Sequence, residues 1–274
     1  MPSGVTRLQR EAWAILLILL LAGAAVFAHV TTTPEEYSRY NTGWNGTSGF
    51  AGEEVRDLKP GVTLLILAPD QPFTPEEVGY CRAFLDNGGD IIIADEEGAA
   101  NPLLADLGSR IRVRPGNLSS LERDHTDPGL FRVQVTGNAS LFAGIETIRV
   151  NRPAAVEGGE PLLETSVLTW DDADGDGRIT ASETFGTAVV CAKEGNLTVL
   201  GDPSLFINAM LAENPEFIDN LQPVRIDGVH SRTGTANPII NTRLWIQETP
   251  LAAAALAALA VLPVAYRFGR KRDE

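Results

Sequence analysis

Residue types that build cross-links and metal sites are scarce in this sequence, which contains two cysteines and three histidines among 274 residues. Cys81 and Cys191 allow one disulfide bond at most, and the sequence leaves open whether they pair. A disulfide-built scaffold is therefore excluded. His29, His125 and His230 are too scattered to give the spacing of a zinc site. Stability must come from an ordinary hydrophobic core, for which a chain of this length is large enough.

Basic residues are also few. The sequence has 22 Lys and Arg but 36 Asp and Glu, which gives a formal net charge of −14 at pH 7. This balance argues against nucleic acid and anionic lipid as partners.

The G-x-S-x-G nucleophile elbow is absent from the sequence. Asp227, His230 and Ser231 have the residue types of a hydrolase, but neighbouring strand residues point to opposite faces. Cys81 falls on the apolar face of a predicted helix, where a cysteine is inert. We expect no catalytic set.

Long apolar runs occur near both ends of the chain. Residues 12–30 follow Arg7 and Arg10 and are long enough to cross a bilayer. Residues 251–266 form a second, alanine-rich run that contains Pro263 and precedes a basic cluster. Because positive residues stay on the cytoplasmic side, both ends of the chain are predicted to lie inside.

The predicted organisation follows from these two spans. Residues 1–11 are cytoplasmic, 12–30 form a transmembrane signal anchor, 31–248 an extracytoplasmic α/β domain, 249–267 a transmembrane helix and 268–274 a cytoplasmic basic tail. The predicted location is the cell membrane, with the main domain outside. A cleaved signal peptide followed by a single C-terminal anchor is an alternative that the sequence leaves open.

Four Asn-x-Ser/Thr sequons lie between the two predicted spans. Their acceptor residues are Asn45, Asn117, Asn138 and Asn196. A sequon is a weak signal by itself, but four in one segment agree with an exported, glycosylated surface.

Residues 172–183 have the spacing of a calcium-binding loop. The expected ligands at positions 1, 3, 5, 7, 9 and 12 are Asp172, Asp174, Asp176, the backbone carbonyl of Arg178, Thr180 and a bidentate Glu183. Gly177 stands at position 6, where a sharp turn is needed, and Ile179 at position 8 is expected to point into the core. We therefore predict calcium as a stabilising cofactor, since even a weak site is occupied at extracellular calcium levels. A polar Asp/Gly turn without an ion is the alternative.

The sequence between residues 62 and 97 predicts a β-α-β unit. Near-continuous apolar runs at 62–68 and 90–94 are typical of strands covered on both faces, hence of a parallel sheet. Between them, Thr74, Pro75 and Glu77 supply a helix cap, and Gly88 ends the helix that they begin. The crossover is expected to be right-handed.

Shorter elements follow this unit. We predict a helix at 101–107, strands at 111–113, 131–135, 145–149 and 162–170, a hairpin of 187–192 with 197–200, and a helix opening at 201–204 and running through 211. The fold class is therefore α/β, a Rossmann- or flavodoxin-like domain whose sheet is mixed but mainly parallel. A transmembrane helix flanks it on each side.

Acidic side chains are expected at the carboxyl edge of the parallel strands. They are Asp70, Asp95, Glu96, Glu97 and Asp202, the last beside the helix that begins near Ser204. Ligands of open α/β sheets favour this edge, although loop acids at strand ends are also commonly just solvated.

Several segments together resemble a known family. They are 40–48 (YNTGWNGTS), 67–69 with 73–77, 84–90 (FLDNGGD), 101–104 (NPLL), 201–208 (GDPSLFIN) and 227–232 (DGVHSR). They resemble a membrane-anchored domain-of-unknown-function family of archaea and bacteria, which is similar to GldG-type auxiliary domains of ABC transporters and to class I glutamine-amidotransferase-like folds. Between residues 48 and 62 the chain is too short for the helix and strand that this resemblance implies.

The functional prediction combines the residues and the resemblance. We expect a non-catalytic, membrane-anchored accessory or partner-binding domain, stabilised by calcium, with the membrane and ABC-transporter subunits as partners and no nucleic acid. The partner follows from the resemblance alone. The alternative is a cell-surface hydrolase that uses the acidic strand edge, for which two carboxylates in an open pocket would be evidence.

Overall fold

The computed structural model describes residues 18, 21–23, 32–50, 53–55, 62–123, 126–221 and 223–248. The chain divides into two units, Pro34–Gly234 on the one hand and Met1–Thr33 with Thr235–Glu274 on the other. Residues 18 and 21–23 and the helix Pro238–Glu248 are the helical parts described in the second unit. Among the described residues, no helix has both the length and the apolar character needed to span a bilayer. The predicted spans 12–30 and 249–267 lie outside the described residues, apart from those four helical positions.

A nine-stranded mixed sheet organises the larger unit. In spatial order its strands are β1 (Glu53–Val55), β13 (Val224–Asp227), β2 (Thr63–Leu67), β3 (Asp90–Ala94), β12 (Leu197–Leu200), β11 (Val189–Glu194), β9 (Glu160–Glu164), β6 (Leu130–Val135) and β7 (Thr147–Asn151). The four pairs that join β1 through β12 are parallel, and the four pairs that join β12 through β7 are antiparallel. The α/β class and the mixed sheet are thus confirmed, but parallel pairs make up only half of the described sheet.

Smaller elements surround this sheet. They are the two-stranded ribbons of β4 (Arg112–Arg114) with β8 (Ala155–Glu157) and of β5 (Leu118–Ser120) with β10 (Thr169–Asp171), and the helices α1 (Pro75–Asp86), α2 (Asn101–Asp106), α3 (Asn208–Leu211) and α4 (Pro215–Leu221). The helix of the second unit, Pro238–Glu248, is α5. Two short 3-10 turns, Ser140–Phe142 and Pro203–Phe206, complete the set.

The predicted β-α-β unit is present, with strand boundaries within one residue of the expected ones. Thr74 caps α1, because its side chain accepts from the Glu77 amide while the Glu77 carboxylate accepts from the Thr74 amide. β2 and β3 run parallel and in register, with Leu65 opposite Ile92. Their side chains are buried on both sides of the sheet, which is why their sequences show no polar alternation.

Two hydrophobic cores cover the two faces of the sheet. The first, which we call the α1 face, includes Leu64, Ile66, Ile91 and Ile93 with Val78 and Phe84 of α1 and Leu103 and Leu104 of α2. The second, the α4 face, includes Leu65, Leu67, Ile92 and Ala94 with Phe206, and with Phe217 and Leu221 of α4. Alternate residues of each strand therefore supply opposite cores.

Two sequence predictions are wrong in detail. The strand expected at 162–170 is two strands in different sheets, β9 and β10, because the chain turns between them and the Ser166 hydroxyl accepts from the Leu168 amide. The helix expected through 204–211 is a 3-10 turn followed by α3. Ile207 separates them, since its φ of −77° and ψ of 153° are extended. In both places a local turn interrupts an apolar pattern that continues through it.

Candidate functional site

The loop that follows β10 brings three predicted ligands together. Asp172, Asp174 and Asp176 each offer a carboxylate oxygen, and these oxygens lie within 4.8 Å of one another. Asp174 Oδ1 accepts from the Asp176 amide at 3.2 Å, and Asp176 Oδ1 accepts from the Arg178 amide at 2.7 Å. These two bonds between side chains and main-chain amides make consecutive turns within the loop. Gly177 has a φ of +69°, the left-handed conformation that favours glycine at position 6.

Asp172 is the buried member of this group, with 5% of its surface exposed. Its Oδ2 accepts from the Ser119 hydroxyl at 3.1 Å and from the Gly177 amide at 3.0 Å. Its Oδ1 is buried and has no hydrogen-bond partner among the described residues. An unpaired buried carboxylate oxygen is costly, and a cation bound at the loop would supply the missing partner.

The other predicted ligands lie at the rim of the loop. Glu183 is outside the group of three, because its two carboxylate oxygens accept from the amides of Ala173 at 2.9 Å and Thr180 at 2.8 Å. These main-chain bonds, first of all the one from Thr180, lower the pKa of Glu183 and keep it ionised. Thr180 and Arg178 remain at positions 9 and 7, the latter with an exposed side chain. Ile179 is 40% exposed, so the expectation that it points into the core is wrong.

The carboxyl edge of the parallel strands contains a second set of acidic groups. β3 leads into α2 on the α1 face, whereas β12 leads through the 3-10 turn towards the α4 face. Neighbouring strands whose connections leave on opposite faces open a crevice between them, the switch point where such sheets bind ligands. Glu96 follows β3 and Asp202 follows β12, so both acids lie at this crevice.

Tyr37 fills the crevice. Its side chain is 1% exposed, and its hydroxyl donates to Glu96 Oε1 at 2.8 Å and lies 3.5 Å from Ser204 Oγ. The residue has a φ of +58°, a strained conformation for a bulky side chain. Burial, reinforced by the negative charge of Glu96, raises the pKa of the phenol, so the hydroxyl stays protonated and can act as a donor.

The two crevice acids are hard to ionise. Burial raises the pKa of Glu96 to about 7, although the hydrogen bond from Tyr37 works in the opposite direction. Burial also raises the pKa of Asp202 to about 8, with a smaller contribution from the nearby Glu96. Asp202 is completely buried and accepts from the amides of Asn151 and Ser204 at 2.7 and 2.8 Å. It therefore joins the end of β7 to the turn after β12.

The remaining predicted edge acids have separate local roles. Asp95 accepts from the amides of Glu97, Gly98 and Ala100 and so shapes the loop before α2. Glu97 pairs with Arg232 at 3.2 Å, and the Arg232 guanidinium lies 5.9 Å from the centre of the Tyr37 ring. Burial lowers the pKa of the Arg232 guanidinium, but the hydrogen bond and charge of Glu97 outweigh it and raise the pKa, and the exposed Asp70 adds to this rise. The predicted acids do gather at one edge.

A buried histidine lies beside this edge, between two carboxylates. His230 is buried, with Nδ1 2.6 Å from Asp227 Oδ2 and Nε2 3.3 Å from Glu77 Oε2. Its ring stacks on Phe73 with the centroids 3.6 Å apart. The Ser231 hydroxyl accepts from the Leu67 amide instead of from the histidine. Both imidazole nitrogens thus face carboxylates, which leaves none to activate a serine nucleophile.

Neither cysteine has the surroundings of a nucleophile. Both are buried and free, so they do not form a disulfide with each other. Burial raises the pKa of the Cys81 thiol to about 11, and burial likewise raises that of Cys191. A thiol that stays protonated is inert.

Sequence reasoning missed two residues of this edge, Tyr37 and Arg232. Tyr37 belongs to a segment without regular secondary structure, so no periodic pattern marks it. Its neighbours are held instead by Asn208, whose amide nitrogen donates to Gly43 O at 2.6 Å and whose Oδ1 accepts from the Gly49 amide at 2.7 Å. The resemblance of segments 40–48 and 201–208 to one family was the available signal that the two belong together.

Comparison with known proteins gives a family and two similar structures. The family model described as domain of unknown function DUF4350 matches residues 39–221, more than half of the chain. No protein of curated description matches the sequence. The solved mmIFT52 N-terminal domain is similar, with a TM-score of 0.46 and 19% identity over 59% of this chain and 76% of that chain. Alpha-L-fucosidase isoenzyme 2 from Paenibacillus thiaminolyticus gives a TM-score of 0.28 and 11% identity over 58% of this chain and 23% of that chain.

Proposed function

The chain belongs to the DUF4350 family, and we propose that its main domain is a calcium-stabilised, non-catalytic binding domain held on the outer side of a membrane. Two observations carry this proposal together, the group of three carboxylates and the buried, unpaired Oδ1 of Asp172. The terminal apolar runs and the four sequons of the sequence support the membrane and the exterior location.

Calcium suits the donor set of the loop. The loop offers carboxylate, carbonyl and hydroxyl oxygens and contains neither histidine nor cysteine, which are the ligands that transition metals prefer. Asp172, Asp174 and Asp176 would hold the ion together with the Arg178 carbonyl and Thr180. Glu183 would join them by exchanging its amide bonds for the ion. An ion at this place would tie β10 to β5, because Asp172 already bonds Ser119 of β5.

Binding is favoured over catalysis by the way the strand edge is filled. The crevice at the switch point is the place where a doubly wound sheet normally takes a small substrate. Here the Tyr37 side chain occupies it and hydrogen-bonds to Glu96. A hydrolase using Glu96 and Asp202 remains the second candidate, because both pKa values are strongly raised, as is common at functional sites. That candidate requires Tyr37 to leave the crevice.

An exposed apolar patch beside the calcium loop provides a surface for a partner. We call it the ribbon patch and define it by Leu121, Val167, Leu168 and Phe185, which are 56, 65, 39 and 44% exposed. The Leu121 amide donates to Leu168 O at 3.1 Å, and Phe185 contacts the Trp170 ring edge-on. Clustered exposed apolar side chains are typical of interaction surfaces. The proposed partner is a subunit of a membrane complex such as an ABC transporter.

Calorimetric titration of the purified full-length chain with calcium tests the central part of this proposal. We expect one ion per chain with a Kd of about 10⁻⁴ to 10⁻³ M, and no heat of binding with Asp172→Ala. Asp171→Ala is the matched control, because Asp171 is adjacent but pairs with Arg114 and is not part of the group. Equal calcium binding by the Asp172→Ala chain, or none by the parent chain, would refute the site.

A further inference from the structure

The four sequons of the chain differ sharply in their accessibility. A glycosyl transferase that recognises Asn-x-Ser/Thr must reach both the acceptor amide and the hydroxyl residue two positions later. In the folded domain these two residues are both exposed at one sequon, formed by Asn138 and Ser140. At each of the other three, the hydroxyl residue is buried.

The sequon at Asn45 is closed by hydrogen bonds. Asn45 Oδ1 accepts from the Asn41 side chain at 2.9 Å. Thr47 is 3% exposed, and its hydroxyl donates to Tyr37 O at 2.7 Å. Modification there requires the segment around Tyr37 to come apart.

The sequons at Asn117 and Asn196 run directly into strands. Asn117 is exposed, but Ser119 is 3% exposed in β5 and donates to Asp172. Asn196 is half-buried, its carbonyl accepts from the Ile91 amide, and Thr198 is 9% exposed in the middle of β12. Neither backbone can bend into a transferase without breaking strand pairs.

Asn138 lies in a short exposed connection after β6. Two main-chain bonds to Leu162 O, from Thr136 at 3.0 Å and from Gly137 at 3.3 Å, end the paired part of the strand just before it. Neither the Asn138 amide group nor the Ser140 hydroxyl has a hydrogen bond among the described residues. Ser140 begins the 3-10 turn with its side chain exposed. The acceptor and the recognition hydroxyl are thus both available without unfolding.

We infer that Asn138 is the N-glycosylation site of the folded protein. This inference rests on the exterior location that belongs to the proposed function. In the reaction, the Asn138 side-chain nitrogen attacks the anomeric carbon of a polyprenyl-diphosphate-linked oligosaccharide. A carbon–nitrogen bond forms as the carbon–oxygen bond to the diphosphate breaks, the diphosphate leaves with its bonding electrons, and the amide gives up one proton. A glycan here would project from the end of β6 and keep partners away from that part of the surface.

The test uses the purified full-length chain, a lipid-linked oligosaccharide donor and a single-subunit oligosaccharyltransferase that requires only the sequon. Glycopeptides are then quantified by mass spectrometry. With the native chain, we expect occupancy of Asn138 at least tenfold above that of the other three acceptors. With the urea-unfolded chain transferred into the same reaction, all four acceptors should react. Because the reaction is performed in solution, it tests accessibility even if the exterior location itself is wrong.

Two variants make the result specific. Asn138→Gln should remove the modification of the native chain, whereas Asn117→Gln should leave it unchanged. Ser140→Ala should remove it as well, since the acceptor is intact but the recognition hydroxyl is missing. Native occupancy at Asn45, Asn117 or Asn196 equal to that at Asn138 would overturn the inference. An Asn138 that stays unmodified in the native or in the unfolded chain would overturn it too.

Discussion

The Ser119 hydroxyl donates to Oδ2 of Asp172 across 3.1 Å. This bond joins the first acid of the loop 172–183 to strand β5, which pairs with β10. This bond fixes the carboxylate of Asp172 through one oxygen and leaves the other, Oδ1, buried and unpaired. Groups that orient metal ligands in this way commonly affect the affinity of a site for its metal.

Replacement of Ser119 therefore tests the link between strand β5 and the loop 172–183. We expect Ser119→Ala to weaken calcium binding by about tenfold, since supporting residues of metal sites contribute roughly 10 to 100-fold. The matched control is Ser120→Ala, the next residue of β5, whose hydroxyl contacts Leu168 O and the Glu122 amide instead. The measurement is calorimetric titration of both variants. Equal affinities for Ser119→Ala and the parent chain would show that the loop is organised without the ribbon.

The pKa values of the crevice acids predict a pH-dependent stability. Glu96 and Asp202 have folded pKa values raised to about 7 and about 8, so the folded state holds protons that the unfolded state has released. By linkage, the free energy of unfolding falls as the pH rises from near the unfolded carboxyl pKa towards 8. Glu96→Gln should flatten this fall by about 1 kcal/mol or more, because one raised pKa unit corresponds to about 1.4 kcal/mol.

Urea unfolding between pH 5 and pH 8.5, with calcium chelated throughout, measures this slope. Glu97→Gln serves as the control, since Glu97 is exposed and pairs with Arg232 at the surface. A Glu96→Gln chain with the parent's pH profile would contradict the raised pKa of this half-buried acid.

Asn208 is predicted to keep Tyr37 in the crevice. Its side chain bonds Gly43 O and the Gly49 amide, and its own amide donates to Gly46 O at 2.7 Å. Asn208→Ala removes these side-chain bonds and the two weaker ones to Asn41 O and Ser48 Oγ, at a cost of about 2 kcal/mol or more in total. Hydrogen exchange should then speed up in residues 41–50 and at Tyr37 well before it does in β2 and β3.

Asn220→Ala is the matched control for that experiment. Asn220 also uses its side chain to hold a loop, through Ala143 O at 2.9 Å, but its bonds go to the turn at Ser140–Phe142 and not to the segment 41–50. Exchange in residues 41–50 that stays at the parent rate in Asn208→Ala would mean that Tyr37 is held without Asn208.

The sequence predicted the parts of the fold that local signals specify. The boundaries of β3 and α1 agree with the prediction because a buried apolar run and a complete capping box each define an element by themselves. The three-residue strands of the ribbons could not be predicted, because their ends are set by pairing with distant residues and not by their own pattern.

The candidate sites show the same division. The spacing of Asp172, Asp174 and Asp176 predicted their convergence, since a loop of this kind positions ligands by residue number. The bonds of Glu183 to the Ala173 and Thr180 amides depend on how the loop closes, which spacing alone does not determine. The location of Tyr37 was equally hidden, because packing against distant strand ends leaves no period in the sequence.

Thermal unfolding of the full-length chain with and without calcium tests the central claim most directly. At about 100 times Kd, binding adds about 2.7 kcal/mol to stability, which corresponds to a rise in Tm of roughly 5–10 °C for a domain of this size. The account predicts this rise with calcium, a smaller one with magnesium, and none in an Asp172→Ala/Glu183→Ala chain. A Tm that is unchanged by calcium in the parent chain, or that rises equally in the double variant, would contradict the proposed calcium loop.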